Sequence, residues 1–372
     1  MSDRIYLDYN ATAPLLPAAR EAVISALDHG FGNPSSKHWA GRAAHALVKE
    51  ARAAVAALAG AAPEQVLFTS GATEALHQAL VSAGPGRIVA SAVEHPAVFA
   101  AARLLGGREV TSVAPEPGGR LDPDAVLAAV DAGPPPALVA VMAANNVTGL
   151  EHPVGALAAA LRARGVPLLV DAVQFAGKRP IDFAPDYLVL TGHKLGGPKG
   201  VGALVARSGA RLAPHIDGGG QEGGLRGGTE PVPAIAGFGA AAAWTLEHLA
   251  TLGATYAALR DHLEGALLAA LPGAFVVGAG LARLPNTSAF VLPPGVEAEA
   301  VMGRLNRAGV AVSAGSACHS GSLEPSPVLL ATGLTPAEAF RALRLSLGHA
   351  TTRGEIDRVA ELLPAIAREV AA

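Results

Sequence analysis

Short apolar runs alternate with stretches of helical periodicity from about residue 40 to residue 250. Residues 40–59, which Gly60 ends, and 154–164 repeat apolar side chains at helix spacing. Runs with the length and residue types of strands lie at 66–69, 87–91, 138–142, 166–171, 186–191 and 201–206. This alternation predicts an α/β fold with a mostly parallel sheet covered by helices. A Gly- and Pro-rich link joins the last two runs, which leaves antiparallel pairing open for them.

The pattern changes after residue 230. Residues 231–271 are continuously helical in pattern, a length that predicts a connector between two domains. Shorter elements follow at 274–277, 287–292, 297–308, 310–313 and 342–347, and an amphipathic helix begins at Gly354. We expect them to form a smaller α+β domain.

Composition narrows the classes of protein to consider. The 372 residues exceed the usual size of one domain, and 51% are hydrophobic. The net charge of −3 and the absence of a basic run argue against nucleic acid or an anionic membrane as a partner. The first residues lack a signal-peptide pattern, and the most apolar stretch, 232–246, is too short and broken to span a bilayer. With one cysteine the chain has no intrachain disulfide, and we expect a cytoplasmic protein without a membrane segment.

Two candidate catalytic residues follow strands. Asp171 ends the run at 166–171, and Lys194 follows the run at 186–191. Carboxyl ends of strands in open α/β sheets meet at a ligand crevice. There, a lysine that has lost hydration can form a Schiff base with an aldehyde, and an acid can hold the pyridine nitrogen of pyridoxal phosphate protonated. Taken singly, Lys194 also suits a lysine that reaches solvent, and Asp171 a helix cap.

Two further motifs add chemistry. Residues 66–75 (VLFTSGATEA) read as a strand followed by a helix start, where backbone N–H groups and the Thr73 hydroxyl suit a phosphate, although the motif is also that of a capping box. Cys318 lies among Gly, Ser and Ala without apolar periodicity, which predicts a loop. Free cysteines are usually buried, but a loop thiol is accessible and is a candidate nucleophile.

Ordered motifs along nearly the whole chain resemble a known family. The chain is similar to the pyridoxal-phosphate-dependent cysteine desulfurases of the NifS and IscS type, within the class V aminotransferases of fold type I. The matching residues are 6–14 (YLDYNATAP), 31–36 (FGNPSS), 69–74 (TSGATE), 94–95 (EH), 145–146 (NN), 171–174 (DAVQ), 192–194 (GHK), 226–229 (RGGT), 315–318 (GSAC) and 341–348 (RALRLSLG). Departures from the family pattern include His77-Gln78-Ala79, Gly228, His319 and Gly321, none of which removes a catalytic group.

The resemblance implies an architecture. It implies a large cofactor domain with a mostly parallel seven-stranded sheet and a smaller α+β C-terminal domain. We place the large domain at residues 15–250. The small domain would take residues 1–14 and 251–372 and carry the loop of the catalytic cysteine.

The resemblance also implies roles for single residues. Lys194 would bind pyridoxal 5'-phosphate as a Schiff base, Asp171 would pair with the pyridinium, and His95 would stack on the ring and carry protons. The other cofactor contacts would come from Ala72, Thr73, Asn146, Gln174, Thr191, His193 and, from the other subunit of a homodimer, Thr229. Arg344 would bind the carboxylate of the substrate through two points, with Asn33 and Asn146 assisting. No metal is implied.

The implied reaction converts L-cysteine to L-alanine and leaves a persulfide on Cys318, for delivery to acceptors such as an iron–sulfur scaffold or systems that thiolate cofactors or tRNA. Two alternatives keep the same fold. A class V aminotransferase or related lyase would use Lys194, Asp171 and His95 but make Cys318 incidental. A degenerate paralogue would act only as a binding partner, which the intact lysine, acid and phosphate motif argue against.

Overall fold

The computed structural model describes residues 4–314 and 324–371. The strands are β1 (Ile5–Tyr6), β2 (Val66–Thr69), β3 (Ile88–Ser91), β4 (Val110–Val113), β5 (Leu138–Ala140), β6 (Leu168–Asp171), β7 (Tyr187–Thr191), β8 (Gly202–Ala206), β9 (Phe275–Val276), β10 (Thr287–Val291), β11 (Val310–Ala311), β12 (Ser313–Ala314) and β13 (Ala342–Ser346). The helices are α1 (Pro17–His29), α2 (Trp39–Leu58), α3 (Ala72–Ala83), α4 (Pro96–Leu104), α5 (Pro123–Asp131), α6 (Val154–Ala163), α7 (Val232–Ala270), α8 (Ala298–Arg307), α9 (Pro327–Ala331), α10 (Pro336–Ala339) and α11 (Arg353–Ala371).

A seven-stranded sheet forms the centre of the molecule, in the order β2-β8-β7-β6-β5-β3-β4. Strands β3 to β7 run parallel to their neighbours among themselves, whereas β8 is antiparallel to both β7 and β2. Every residue of β2, β6, β7 and β8 is buried, as expected for strands covered on both faces. The prediction of an α/β fold with a mostly parallel sheet is confirmed, and the pair left open is antiparallel.

Helix α7 connects two apolar cores. Val232 to Ala242, in its first half, pack in the core beneath the seven-stranded sheet with side chains of α1 and α2. Leu259, Leu263 and Leu267, in its second half, pack in a separate core with Ile5 and Leu7 and with the last helix. The predicted connector is therefore present, and Ile5 and Leu7 pack on the side of the C-terminal residues. The domain boundaries themselves stay a prediction.

The smaller core supports a four-stranded sheet, ordered β12-β13-β10-β9. Strand β1 pairs in parallel with β11 and so joins the start of the chain to this region. Within residues 4–314 and 324–371, no helix is both long and apolar enough to cross a bilayer.

Candidate active site

A cavity of about 530 Å³ opens at the carboxyl edge of the large sheet. The loops after β2, β3 and β5 and the ends of β6 and β7 supply most of its walls, and β13 and the first residues of the chain close it. The sequence-predicted residues that line it are Ala72, Thr73, His95, Asn146, Asp171, Gln174, Thr191, His193, Lys194 and Arg344. Side chains far apart in the chain thus meet at the edge where α/β sheets bind ligands.

Lys194 ends a single 3₁₀ turn, Gly192–Lys194, that follows β7 directly. Its amine donates to the backbone carbonyls of Asn10 and Ala11, the second at 2.6 Å. The N-terminal segment therefore holds the lysine at the cavity wall. No pattern in the sequence predicts this contact of residues 10 and 11 with the lysine.

Asp171 is the last residue of β6, and only 7% of its surface is exposed. Its Oδ1 accepts from the backbone N–H of Val173 at 2.9 Å. Burial raises the pKa of this carboxyl, while the Val173 N–H and the charges of His95 and Lys194 oppose that rise. A cation placed against Asp171 would favour its ionised form.

His95 caps the N-terminus of α4, and its Nδ1 accepts from the N–H of Ala97 at 3.2 Å. Since Nδ1 is the acceptor, a neutral ring carries its proton on Nε2. Burial lowers the pKa of His95, with Asp171 opposing and Lys194 adding to the fall. The ring is therefore neutral near pH 7 and has one donor to present.

Glu94, next to His95, is buried and received no role from the sequence. Its Oε1 accepts from the N–H of Met142 at 2.7 Å and from the Ser91 hydroxyl. Burial raises its pKa to about 8, and these two hydrogen bonds offset the rise only in part. The carboxyl is thus largely protonated at neutral pH, and it ties the loop after β3 to the strand β5 region.

The start of α3 faces the cavity through residues 70–74. The N–H of Ser70 donates to Glu74 Oε2 at 2.9 Å, and Glu74 pairs with Arg226. A Cβ at Gly202 of β8 would lie 2.7 Å from the Gly71 Cα, so only glycine allows this approach of strand and loop. The N–H groups of the first helical turn can bind an anion there.

Arg344 projects from β13 and is buried. Its Nη2 pairs with Asp8 Oδ1 at 2.6 Å, its Nη1 donates to the Asn146 carbonyl at 3.1 Å, and its Nε has no partner among the described residues. Gln174 donates through Nε2 to the Asn10 carbonyl at 2.9 Å, whereas its buried Oε1 is unpartnered in the described part of the chain. Both side chains keep a polar atom for a ligand.

Two predicted residues of the described ranges, Asn33 and Thr229, do not line this cavity. Asn33 is exposed, and its Oδ1 accepts from the N–H of Ser35. Thr229 is also exposed and does not line the cavity. Cys318 lies outside the described residues. Their assignments stay predictions.

Sequence reasoning missed other lining residues, including Asn10, Ala11, Met142 and Lys199. The match at residues 6–14 was the available signal for the first two. It indicated membership of a family but gave no contact.

The family model described as aminotransferase class-V matches residues 5–359. The chain belongs to the class-V aminotransferase family. A cysteine desulfurase of Cereibacter sphaeroides is 45% identical to this chain, over 100% of this chain and 97% of that protein.

Two solved structures are similar to this family member in fold as well. A NifS-like protein has a TM-score of 0.90 at 30% identity and covers 98% of this chain and 100% of its own. SspA, solved in complex with cysteine, has a TM-score of 0.80 at 31% identity and covers 92% of this chain and 98% of its own. The predicted family and fold type are therefore confirmed.

Proposed function

We propose that this protein is a cysteine desulfurase that converts L-cysteine to L-alanine and retains the sulfur on Cys318. One observation carries the proposal: Lys194, Asp171 and His95 line a single cavity at the start of α3. The 45% identity to a cysteine desulfurase over the full length supports the choice among reactions that such a cavity serves. An amine, a buried acid and a neutral imidazole beside an anion site suit amino-acid chemistry on pyridoxal phosphate.

The cavity fits this cofactor in three respects. The start of α3 suits a phosphate dianion, and Asp171 offers a buried carboxylate to a ring nitrogen. The orphaned Oε1 of Gln174 would gain a donor from a ring hydroxyl. Ala72, Thr73, Thr191 and His193 would hold the phosphate, joined by Thr229 of a second subunit. When bound, pyridoxal phosphate supplies an electron sink for the charge that develops at the substrate Cα.

Side chains of the protein would carry out the proton transfers and orient the substrate. Lys194 would hold the cofactor through its amine, and the free amine would be the base that takes the proton from the substrate Cα. Asp171 would pair with the ring nitrogen and hold a proton there, and a positive charge at that place would favour the ionised form of Asp171 despite its burial. His95 moves a proton through Nε2, because its Nδ1 is engaged by Ala97. Arg344 and Asn146 orient the substrate carboxylate, with Asn33 assisting.

Cys318 completes the reaction. Its thiolate attacks the sulfur of L-cysteine, so that an S–S bond forms as the C–S bond breaks and the electron pair stays with the carbon fragment. That fragment takes up one proton at Cβ and regains one at Cα, and it leaves as L-alanine. The protein keeps a persulfide, and a sulfur-acceptor protein, such as an iron–sulfur scaffold, would remove it. No external oxidant is required.

A homodimer is part of this proposal. Large apolar side chains are exposed at Leu27, Phe31 and Trp39, and the last two rings meet edge to face at 6.0 Å between centroids. An exposed apolar cluster of this kind suits an interface with a second copy. Thr229, exposed on each subunit, would reach the phosphate of the other.

The reaction is tested by incubating the holoenzyme with L-cysteine and dithiothreitol. Alanine and sulfide in equal amounts support desulfuration. Formation of a keto acid without sulfide would instead identify amino transfer and contradict the proposal.

For Cys318→Ala, we expect sulfide release to fall at least about a hundredfold, because the nucleophile is lost. The visible band of the lysine-bound cofactor should be unchanged, since no cofactor contact is removed. Mass spectrometry after exposure to L-cysteine should find a sulfur adduct on Cys318 of the unaltered chain and none on the variant. Unchanged turnover in Cys318→Ala would refute the role of this thiol.

A further inference from the structure

Asp8 is an acid beside the active-site cavity to which the proposed reaction gives no role. It lies two residues after β1, and its Oδ1 pairs with Nη2 of Arg344 at 2.6 Å. The side chain of Arg344 is 3% exposed and that of Asp8 is 20% exposed. Arg344 lines the cavity, whereas Asp8 is not among the described residues that do. Asp8 can therefore act on a ligand only through Arg344.

Hydrogen bonds hold the backbone of Asp8 in place. Asp8 forms a parallel bridge with Ser346 of β13. The N–H of Ser346 donates to the Leu7 carbonyl at 2.8 Å, and the N–H of Tyr9 donates to the Ser346 carbonyl at 3.2 Å. On the other side, the Tyr6 hydroxyl donates to the Asp8 carbonyl at 3.0 Å. The carboxylate of Asp8 is thus presented from a fixed backbone.

The backbone of Arg344 is fixed as well, so its side chain is the part that needs orienting. Strand β13 has a neighbour on each side, and Arg344 lies opposite Ala289 of β10 and Ser313 of β12. The guanidinium meets Asp8 through Nη2 and the Asn146 carbonyl through Nη1, the second at 3.1 Å. Contacts at two nitrogens of a planar group fix its direction and its tilt. A two-point contact with a carboxylate requires that plane to be aligned.

The two contacts of the guanidinium differ in charge. Asn146 offers a neutral carbonyl, whereas Asp8 is the acid that pairs with Arg344 in the described part of the chain. A buried guanidinium without a counter-charge is costly, because it has lost its hydration. Asp8 therefore keeps Arg344 in place when no ligand is bound. Because Asp8 stands outside the cavity lining, a ligand carboxylate can reach Arg344 without displacing it.

We propose that Asp8 is a positioning residue for the substrate carboxylate, which holds the guanidinium of Arg344 in the orientation that a two-point contact requires. The inference rests on the proposed function, because that function makes Arg344 the residue that binds the carboxylate. It adds a residue of the N-terminal segment that does not touch the substrate.

The test compares two ligands that differ only at the carboxylate. L-Alanine, the expected product, and L-alaninamide both carry the α-amine that can replace Lys194 on the cofactor, but only L-alanine carries a carboxylate. Their affinities for the holoenzyme are measured from the change in the visible band of the bound cofactor. The ratio of the two affinities at one pH isolates the contact at the carboxylate.

In Asp8→Ala, we expect L-alanine to bind about tenfold more weakly, because the guanidinium loses its charged partner. L-Alaninamide should bind as it does to the unaltered protein. Asp8→Asn, which keeps an acceptor oxygen in place, should stay within about threefold for both ligands. Glu151→Ala is the matched control: it removes an ion pair with Arg179 from a side chain of 19% exposure that does not line the cavity, and it should change neither affinity.

Three results in Asp8→Ala would overturn the proposal. Unchanged affinities would show that Arg344 needs no such partner, and an equal loss for both ligands would show a purely structural role. Tighter binding of L-alanine would show that Asp8 competes with the ligand. Should Asp8→Ala fail to fold, Asp8→Glu decides, because it keeps the charge and moves the carboxylate by one methylene group. We expect the affinity ratio to fall at least about threefold in Asp8→Glu, and a ratio like that of the unaltered protein would contradict the proposal.

Sulfide release from L-cysteine separates this inference from the function on which it rests. If the variants give the expected ratios but the unaltered holoenzyme releases no sulfide, the proposed function fails while the role of Asp8 stands. If sulfide is released but the ratio does not change in Asp8→Ala, the role of Asp8 alone is refuted.

Discussion

His152 lies outside the active-site cavity and is buried, with neither ring nitrogen hydrogen-bonded to any described residue. It lies just before α6, and its backbone N–H donates to the Ala143 carbonyl. Burial lowers the pKa of the ring to about 4, because a charged imidazole would lose hydration without gaining a partner. The folded protein therefore keeps His152 neutral.

This burial predicts acid sensitivity. An unfolded His152 takes up a proton near pH 6.5, whereas the folded one resists until about pH 4. The free energy of unfolding is thus fully retained above pH 6.5 and falls as the pH drops through that window. Between pH 7.5 and 5 this residue should account for about 2 kcal/mol.

Urea unfolding of the unaltered chain and of His152→Gln at both pH values measures this term. The unaltered chain should lose more stability than the variant on acidification. Equal losses would show that the ring is hydrated or partnered when folded.

Residues at strand ends were predictable, and residues brought together by tertiary contacts were not. Lys194 and Asp171 follow apolar runs, and parallel strands place their carboxyl ends at one edge, so their meeting follows from pattern alone. Asn10, whose carbonyl accepts from both Lys194 and Gln174, lies 184 residues before the first of these. No local pattern specifies that contact, and none marks His152 as buried.

At the level of elements, the crossing of α2 and α7 depends on one glycine. A Cβ at Gly239 of α7 would lie 2.4 Å from the Cα of Ala51 in α2. The two helix backbones approach too closely for any side chain at that position. A Cβ at Gly265, further along α7, would lie in open space, with no packing atom of the described residues within 4 Å.

The two glycines make a matched pair of substitutions. Gly239→Ala should lower the free energy of unfolding by about 1–3 kcal/mol, because the added methyl group forces the helices apart. Gly265→Ala should raise it by about 0.5–1 kcal/mol, because alanine favours the helix. Urea unfolding of both variants tests the prediction. A stabilised Gly239→Ala would show that the helices can separate without cost.

Strand β4 was not predicted from the sequence, because it lacks the apolar pattern of the buried strands. It lies at the edge of the large sheet, and only Val113 of its four residues is buried. Its two central residues are Thr and Ser, so β4 has no apolar run like those from which the buried strands are predicted. Edge strands lack that signal because one side of them remains in water.

At the scale of the whole molecule, the first residues of the chain join its two cores. Strand β1 pairs with β11, and Ile5 and Leu7 pack in the smaller core. Directly afterwards, Asp8 pairs with Arg344, and Asn10 holds Lys194 and Gln174 at the large sheet. Ligand binding in the cavity should therefore stabilise both cores.

We expect pyridoxal phosphate to stabilise the molecule as one unit. At a hundred times its dissociation constant a ligand adds about 2.7 kcal/mol, and the covalent link through Lys194 should add more. Calorimetry of the reconstituted protein should show one transition at a higher temperature than the cofactor-free protein, with a smaller rise for Lys194→Ala. Two transitions, of which only one shifts, would show that the cores unfold independently.

The position of Asn10 also bears on how the protein should be produced and handled. Any affinity tag, fluorescent fusion or surface tether attached ahead of Ile5 pulls on the strand whose next residues grip the reactive lysine. Attachment after α11, whose last turn carries no residue of the cavity lining, avoids that mechanical coupling. Assays on immobilised or fused protein should accordingly use the carboxyl end.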